Sequence, residues 1–370
     1  MATHYILCVH GIGAHSDNWV EDQDDGGQSF KDLFFELVAK YPEVKNKLDG
    51  KVKLVPIHYN DYFERIIDHW QTHLDTLLSF QGSSELMLSS QGYVKEIAEK
   101  AKQAEDTQAF WRTHIMDLVL FAGLGSIKEP VLLYVAKQIL KHCLDAGPYD
   151  KFSIIGHSMG SSVVEKALKK LYNEGVNGDT LKGDLKFRNI CLIANCAYML
   201  SRDHGSFYLS DFKPSGAHDG MCERMLNVNH RWDPVGQFKA FDPDSEMDWL
   251  HPEDSWRYTD IQLKRLSSSN VHSINHYFRD PSLHIPYLRM LCDTDQPSGT
   301  PLVSKISAEE ELQAQTAFLA KTPLGTYKSA YADLKALDAK NVQSFKEFHE
   351  RLQAMLALKD SFQAGMEDML

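Results

Sequence analysis

The sequence predicts an α/β protein with a mostly parallel central sheet and helices on both of its faces. Three observations carry that expectation. Short apolar runs of strand length alternate along the chain with longer segments whose apolar residues recur every three or four positions. Several of the runs, such as residues 190–194, are apolar nearly throughout, as strands buried on both faces are. The run at 152–155 passes through Gly156-His157-Ser158-Met159-Gly160 directly into a helical pattern carried by Val163, Val164, Ala167 and Leu168. A serine at the apex of so sharp a turn forces neighbouring chain into close approach, and only small residues fit beside it, here Gly156 and Gly160. Strand, apical serine and helix in this order make a nucleophile elbow.

Composition bounds the rest. A chain of 370 residues that is 43% hydrophobic can bury a large core, and α/β enzymes often run to such lengths as one unit. A net charge of −12 argues against nucleic acid, or an anionic membrane, as the main electrostatic partner. Cys8, Cys143, Cys191, Cys196, Cys222 and Cys292 are scattered with no C-x-x-C pair, which predicts reduced thiols and a cytoplasmic type of compartment. The N-terminus has no basic region ahead of its five-residue apolar run, so that run reads as a strand and not as a signal peptide. No apolar stretch approaches the length of a membrane span, and a soluble protein is expected.

Taken in order, residues 5–9 form the first expected strand, ending in His10-Gly11-Ile12-Gly13 and a polar loop. Residues 30–39 place Phe30, Leu33, Phe34, Leu37 and Val38 on one helical face. Residues 51–57 read as a strand that Pro56 confines to an edge or an end of the sheet. Between 61 and 115 the texture becomes helical, with Phe63, Ile66, Ile67, Trp70, Leu74 and Leu77 on one stripe; this is longer than the core needs and reads as an insertion that caps the site. Its stripe could contact a membrane surface peripherally, although plain packing is the commoner use of such a face. His69 and His73 have the spacing of a metal pair but lack the glutamate of H-E-x-x-H and a third ligand, so no metal is expected there.

A short strand at 117–121, a helix at 131–144 and the elbow follow, then strands at 190–194, 225–228 and 261–266. These elements make up residues 1–300. Residues 301–370 read as a helical appendage, opened by a capping box at Ser307 and Glu310 and available for association.

A serine hydroxyl needs a base to take its proton, and the usual base is a histidine oriented by a buried carboxylate. Asp233 sits just beyond the 225–228 strand, with Pro234 stiffening its turn. Beyond the 261–266 strand come His272 and His276, four positions apart, so spacing alone does not choose between them.

The His10-Gly11-Ile12-Gly13 loop, the Gly156-His157-Ser158-Met159-Gly160 elbow and the Asp233-Pro234-Val235 turn together resemble the lipases and esterases of the α/β-hydrolase superfamily over about residues 4 to 290. More weakly they resemble the intracellular DDHD-type phospholipases, although no Asp-Asp-His-Asp quartet follows. The resemblance implies an α/β-hydrolase fold and a nucleophile, acid and base in the order Ser158, Asp233, His272. His276 is the alternative base, because the superfamily's base lies in a loop before the last helix. It implies an oxyanion hole from the backbone N–H of Met159 and of Gly11 or Ile12, with His10 and His157 structural. The activity it implies is hydrolysis of an ester or lipid substrate through an acyl-enzyme, with no cofactor and no metal. Thioesterase or acyltransferase chemistry on the same residues is the alternative, as is a non-catalytic interaction module.

Overall fold

The structure is a computed structural model, and it describes residues 2–11, 15–23, 27–61, 125–175, 186–197, 211–216, 219–231, 233, 235, 241, 249–265, 270–292 and 306–321. Ile12, the bulk of the 61–115 insertion with His69 and His73, the 117–121 strand and the C-terminal pattern beyond Lys321 lie outside the described residues.

Among the described residues, six strands form one sheet in which every neighbouring pair runs parallel: β1 (His4–Val9), β2 (Val52–Ile57), β3 (Lys151–His157), β4 (Phe187–Ile193), β5 (Cys222–His230) and β6 (Tyr258–Leu263), in spatial order β2-β1-β3-β4-β5-β6. The inner strands β1, β3, β4 and β5 are buried along nearly their whole length. The outer strands β2 and β6 carry exposed positions. Pro56 sits in β2, which has a strand neighbour on one side only among the described residues, and there a missing N–H is tolerated.

The period of two divides the inner strands between two cores. Leu7, Val9 and Ile154 face one layer, built from α3 (Gly125–Leu144) through Val131, Val135 and Ile139, and from α4 (Met159–Lys169) through Val163, Val164 and Ala167. Ile6, Cys8 and Ile155 face the opposite layer. That layer is supplied by α1 (Phe30–Lys40) through its Phe30, Leu33, Phe34 and Leu37 stripe, and by α6 (Pro281–Cys292) through Leu283, Tyr287 and Leu288. Between them in the chain lie α2 (Pro42–Leu48) and the short α5 (Ile274–Arg279). All six cysteines are free thiols and all but Cys143 are buried, behaving as small apolar side chains.

Ser29 caps α1 by accepting the Asp32 N–H at 3.0 Å. Ser307 and Glu310 make the reciprocal pair that opens α7 (Ala308–Lys321): the Glu310 N–H donates to Ser307 Oγ at 3.2 Å and the Ser307 N–H to Glu310 Oε2 at 2.8 Å. Arg289 of α6 ties this helix down through Glu311 at 2.8 Å and the Ile306 carbonyl at 2.9 Å.

Element boundaries differ from the apolar pattern where hydrogen bonding sets them. β4 and β6 each start three residues early, because Phe187 already pairs with Cys222 and Tyr258 with Met225. α3 starts at Gly125, six residues before its apolar stripe, and contains Pro130. Among the described residues, no helix is long and apolar enough to cross a membrane.

Candidate active site

β3 ends at His157 and α4 begins at Met159, so Ser158 makes the whole turn by itself. Its backbone takes φ 55° and ψ −129°, a region that L-residues other than glycine rarely enter. The strain is held by donors converging on the Ser158 carbonyl: the Ser161 N–H at 2.9 Å, Ser161 Oγ at 2.6 Å and Cys196 Sγ at 3.1 Å. The Ser158 N–H donates to the Ile193 carbonyl at 2.8 Å, pinning the turn to the end of β4. A Cβ on Gly160 would lie 2.5 Å from the Val9 carbonyl oxygen and closer still to that of His10. A Cβ on Gly156 would lie 3.0 Å from the Gly160 carbonyl oxygen. The close approach read from the sequence is thus real at both glycines.

The residues after β5 and β6 converge on this turn. Asp233 follows the last residue of β5 by three positions and is fully buried. His272 lies in the turn ahead of α5, where Ser273 Oγ caps the Asn275 N–H at 3.2 Å. Asp233 Oδ2 accepts from His272 Nδ1 at 2.7 Å, and His272 Nε2 stands 2.9 Å from Ser158 Oγ. A carboxylate only accepts, so His272 carries its proton on Nδ1 and turns a lone pair on Nε2 toward the serine hydroxyl. Burial alone would raise the Asp233 pKa. The electrostatic influence of the adjacent His272 ring, with hydrogen bonds from His272, the Tyr277 hydroxyl and the Val235 N–H, outweighs burial and holds the carboxyl below its ordinary range.

His276 is elsewhere. It points from α5 into the protein, edge-on to His230 with ring centroids 5.0 Å apart. Burial, reinforced by His230, keeps its pKa well below that of a free imidazole. Two histidines four apart would share one face of a helix, but α5 starts only at Ile274, so His272 and His276 diverge.

Met159 is the first residue of α4 and is buried; a first-turn N–H has no acceptor within its own helix. Gly11 packs directly on the serine, since a Cβ there would stand 2.7 Å from Ser158 Cβ. His10 holds that loop: its Nδ1 donates to the Gly11 carbonyl at 2.7 Å, while Nε2 accepts the Tyr59 N–H at 3.3 Å. Tyr59 stacks on the His10 ring at 4.1 Å and donates its hydroxyl to the His10 carbonyl at 2.7 Å. His157 Nε2 donates to the His272 carbonyl at 2.7 Å, fastening the His272 turn to the end of β3. Burial, aided by nearby His272, lowers the His157 pKa to about 3 and keeps the ring neutral. A cleft lined by His10, His15, Trp19, Phe30, His157 and His272 opens beside these groups.

Tyr277, Ser161, Cys196 and Tyr59 escape sequence reasoning, because nothing in their spacing marks them. A tyrosine one position after a candidate histidine is the nearest thing to a signal. Comparison with family models, with curated proteins and with solved structures finds no match to this chain.

Proposed function

We propose that the protein is a serine hydrolase of the α/β-hydrolase superfamily, cleaving a carboxylic ester through an acyl-enzyme. One observation carries the reading: a continuous hydrogen-bonded chain from Ser158 Oγ through His272 to buried Asp233, with separations of 2.9 Å and 2.7 Å. The strained serine at the β3–α4 turn, the acid after β5 and the base after β6 support it, because each comes from the carboxyl end of a parallel strand.

In this reading Ser158 Oγ attacks the ester carbonyl carbon as His272 Nε2 takes its proton. The resulting oxyanion is met by the Met159 N–H and by the loop that begins at Gly11. The tetrahedral adduct collapses when His272 returns the proton to the leaving alcohol. Water then repeats the sequence on the acyl-serine, and the acid departs. Asp233 stays ionised and stabilises the imidazolium that forms in each half. A lipid, phospholipid or simpler ester substrate is our further reading, with the 61–115 stripe as the acyl-binding or membrane-facing element. A cytoplasmic location fits six cysteines kept as free thiols.

A fluorophosphonate probe tests the reaction type. Covalent labelling of the wild type that disappears in Ser158→Ala is expected, and folded wild-type protein that resists the probe would overturn the reading. A chain-length series of p-nitrophenyl esters, run beside phospholipid vesicles, tests the substrate class. Hydrolysis confined to short soluble esters would remove the lipid part of the proposal.

A further inference from the structure

Beside the cleft, a second cluster of chemically capable groups takes no part in the chain from Ser158 to Asp233. His58 follows the last residue of β2, and Gln138 of α3 grips its backbone at both ends. The His58 N–H donates to Gln138 Oε1 at 3.3 Å, and its carbonyl accepts from Gln138 Nε2 at 2.6 Å. The ring is buried, with a side chain only 8% exposed. Its Nε2 lies 2.8 Å from the His15 carbonyl oxygen, which can only accept, so Nε2 carries a proton.

In the neutral ring Nδ1 is therefore a bare lone pair. It faces Asp17 Oδ1 at 2.9 Å and Asp61 Oδ1 at 3.9 Å. Among the described residues, no N–H or O–H group donates to it. Three electron-pair donors thus point at one another, all within 4.8 Å. Such an arrangement needs a positive centre between them. A divalent ion placed there would be held by all three donors at once, whereas a single proton on Nδ1 would be shared chiefly with Asp17 at 2.9 Å.

We propose that His58, Asp17 and Asp61 bind a divalent first-row transition ion of the Zn²⁺ or Mn²⁺ kind. Ligand atoms ~2.0–2.2 Å from such an ion stand ~3–3.5 Å from one another. The observed separations of 2.9 Å and 3.9 Å lie on either side of that range, so small rotations of the two carboxylates complete the site. One imidazole with two carboxylates suits these ions better than Ca²⁺, which takes six or more oxygens. An Nε2–H given to a backbone carbonyl is the usual way a metal-bound histidine is oriented. The exposure of Asp17 and Asp61, 90% and 50%, provides both an entry path and room for water in the remaining positions.

The turn that carries Asp17 is itself braced, by Ser16 Oγ donating to Asp22 Oδ2 at 2.8 Å and by the Trp19 N–H on the Ser16 carbonyl at 3.2 Å. A bound ion would fasten this turn to the end of β2. Its role is structural, and no step of acyl transfer passes through it.

Isothermal titration of the full, tag-free chain with Zn²⁺ and with Mn²⁺ tests the site, with Asp17→Asn and Asp61→Asn as variants whose exposed positions leave folding intact. One equivalent should bind, raising the melting temperature, and each variant should weaken affinity about tenfold or more. Failure of both ions to bind at millimolar concentration would overturn the proposal and leave a proton on His58 Nδ1. Undiminished binding in the double variant would overturn it as well. Neither readout involves ester hydrolysis, so the outcome is independent of the proposed function.

Discussion

Tyr277 donates its hydroxyl to Asp233 Oδ2 at 2.7 Å, the same oxygen that holds His272 Nδ1 at the same distance. The phenol is buried, and burial together with the neighbouring carboxylate raises its pKa far above the usual tyrosine range, so it remains a donor. It thereby favours the ionised carboxylate and fixes the angle at which Asp233 meets the imidazole. Tyr277→Phe keeps the ring and removes only this donor. We expect a loss of about 1–2 kcal/mol in stability from the lost hydrogen bond and about a tenfold fall in kcat with KM little changed. Unchanged turnover on a responsive ester substrate would mean that Asp233 needs no second donor.

The two candidate histidines should separate cleanly. His272→Ala removes the only imidazole within hydrogen-bond reach of Ser158 Oγ among the described residues, and kcat should fall by about 10⁶, much as for Ser158→Ala. His276→Ala opens a cavity against His230 and should lower the urea midpoint while leaving most of the turnover. Steady-state kinetics on both variants, with folding checked by circular dichroism, would reverse the assignment if the losses were exchanged.

Acid should destabilise the fold well before the carboxylates titrate. His10, His157, His230, His276 and His284 are each held below the ordinary imidazole pKa, burial being the largest cause in every case; His157 falls to about 3 and His284 to about 4. The unfolded chain binds protons at these positions below about pH 6.5, whereas the folded protein does not. Their contribution is complete above that pH and is lost as the pH falls toward the folded values, by up to about 1.4 kcal/mol per histidine per pH unit. Asp233, whose pKa is also depressed, adds a further loss only below about pH 4. Urea unfolding at pH 7.5, 6.5 and 5.5 should show a steep drop across the lower interval; a flat profile would contradict it.

Gly160 should tolerate no side chain. A Cβ there meets the backbone carbonyl oxygens of Val9 and His10, which cannot rotate away as a side chain would. Gly160→Ala should cost about 3 kcal/mol, the upper end of overpacking, and separate β1 from α4. Gly50 has φ +64° but open space around it, so Gly50→Ala should cost about 1–2 kcal/mol from backbone strain alone. Comparable melting temperatures for the two variants would mean that the contact at Gly160 is soft.

Much of the fold was legible because local physics repeats along the chain. The Phe30–Val38 stripe, the Ser307–Glu310 box and the apolar runs each depend on residues a few positions apart, and periodicity reads such relations directly. Strand starts were less legible, since Phe187 and Tyr258 enter the sheet through pairing with residues more than thirty positions away. The elbow was the clearest feature, because close approach admits only glycine at two fixed offsets from Ser158.

By itself the sequence determined the α/β class, the strand–serine–helix turn and a short roster of acids and bases. The tertiary structure decided which of them meet. His272 and His276 are equivalent in composition and spacing, and they diverge only because the helix begins between them. Tyr277 gains its partner, and His58 its two facing carboxylates, only once the ends of separate strands and loops are packed together. Hydrogen bonds and charge contacts between distant residues depend on separations in space, and those are fixed by burial and register across the whole sheet.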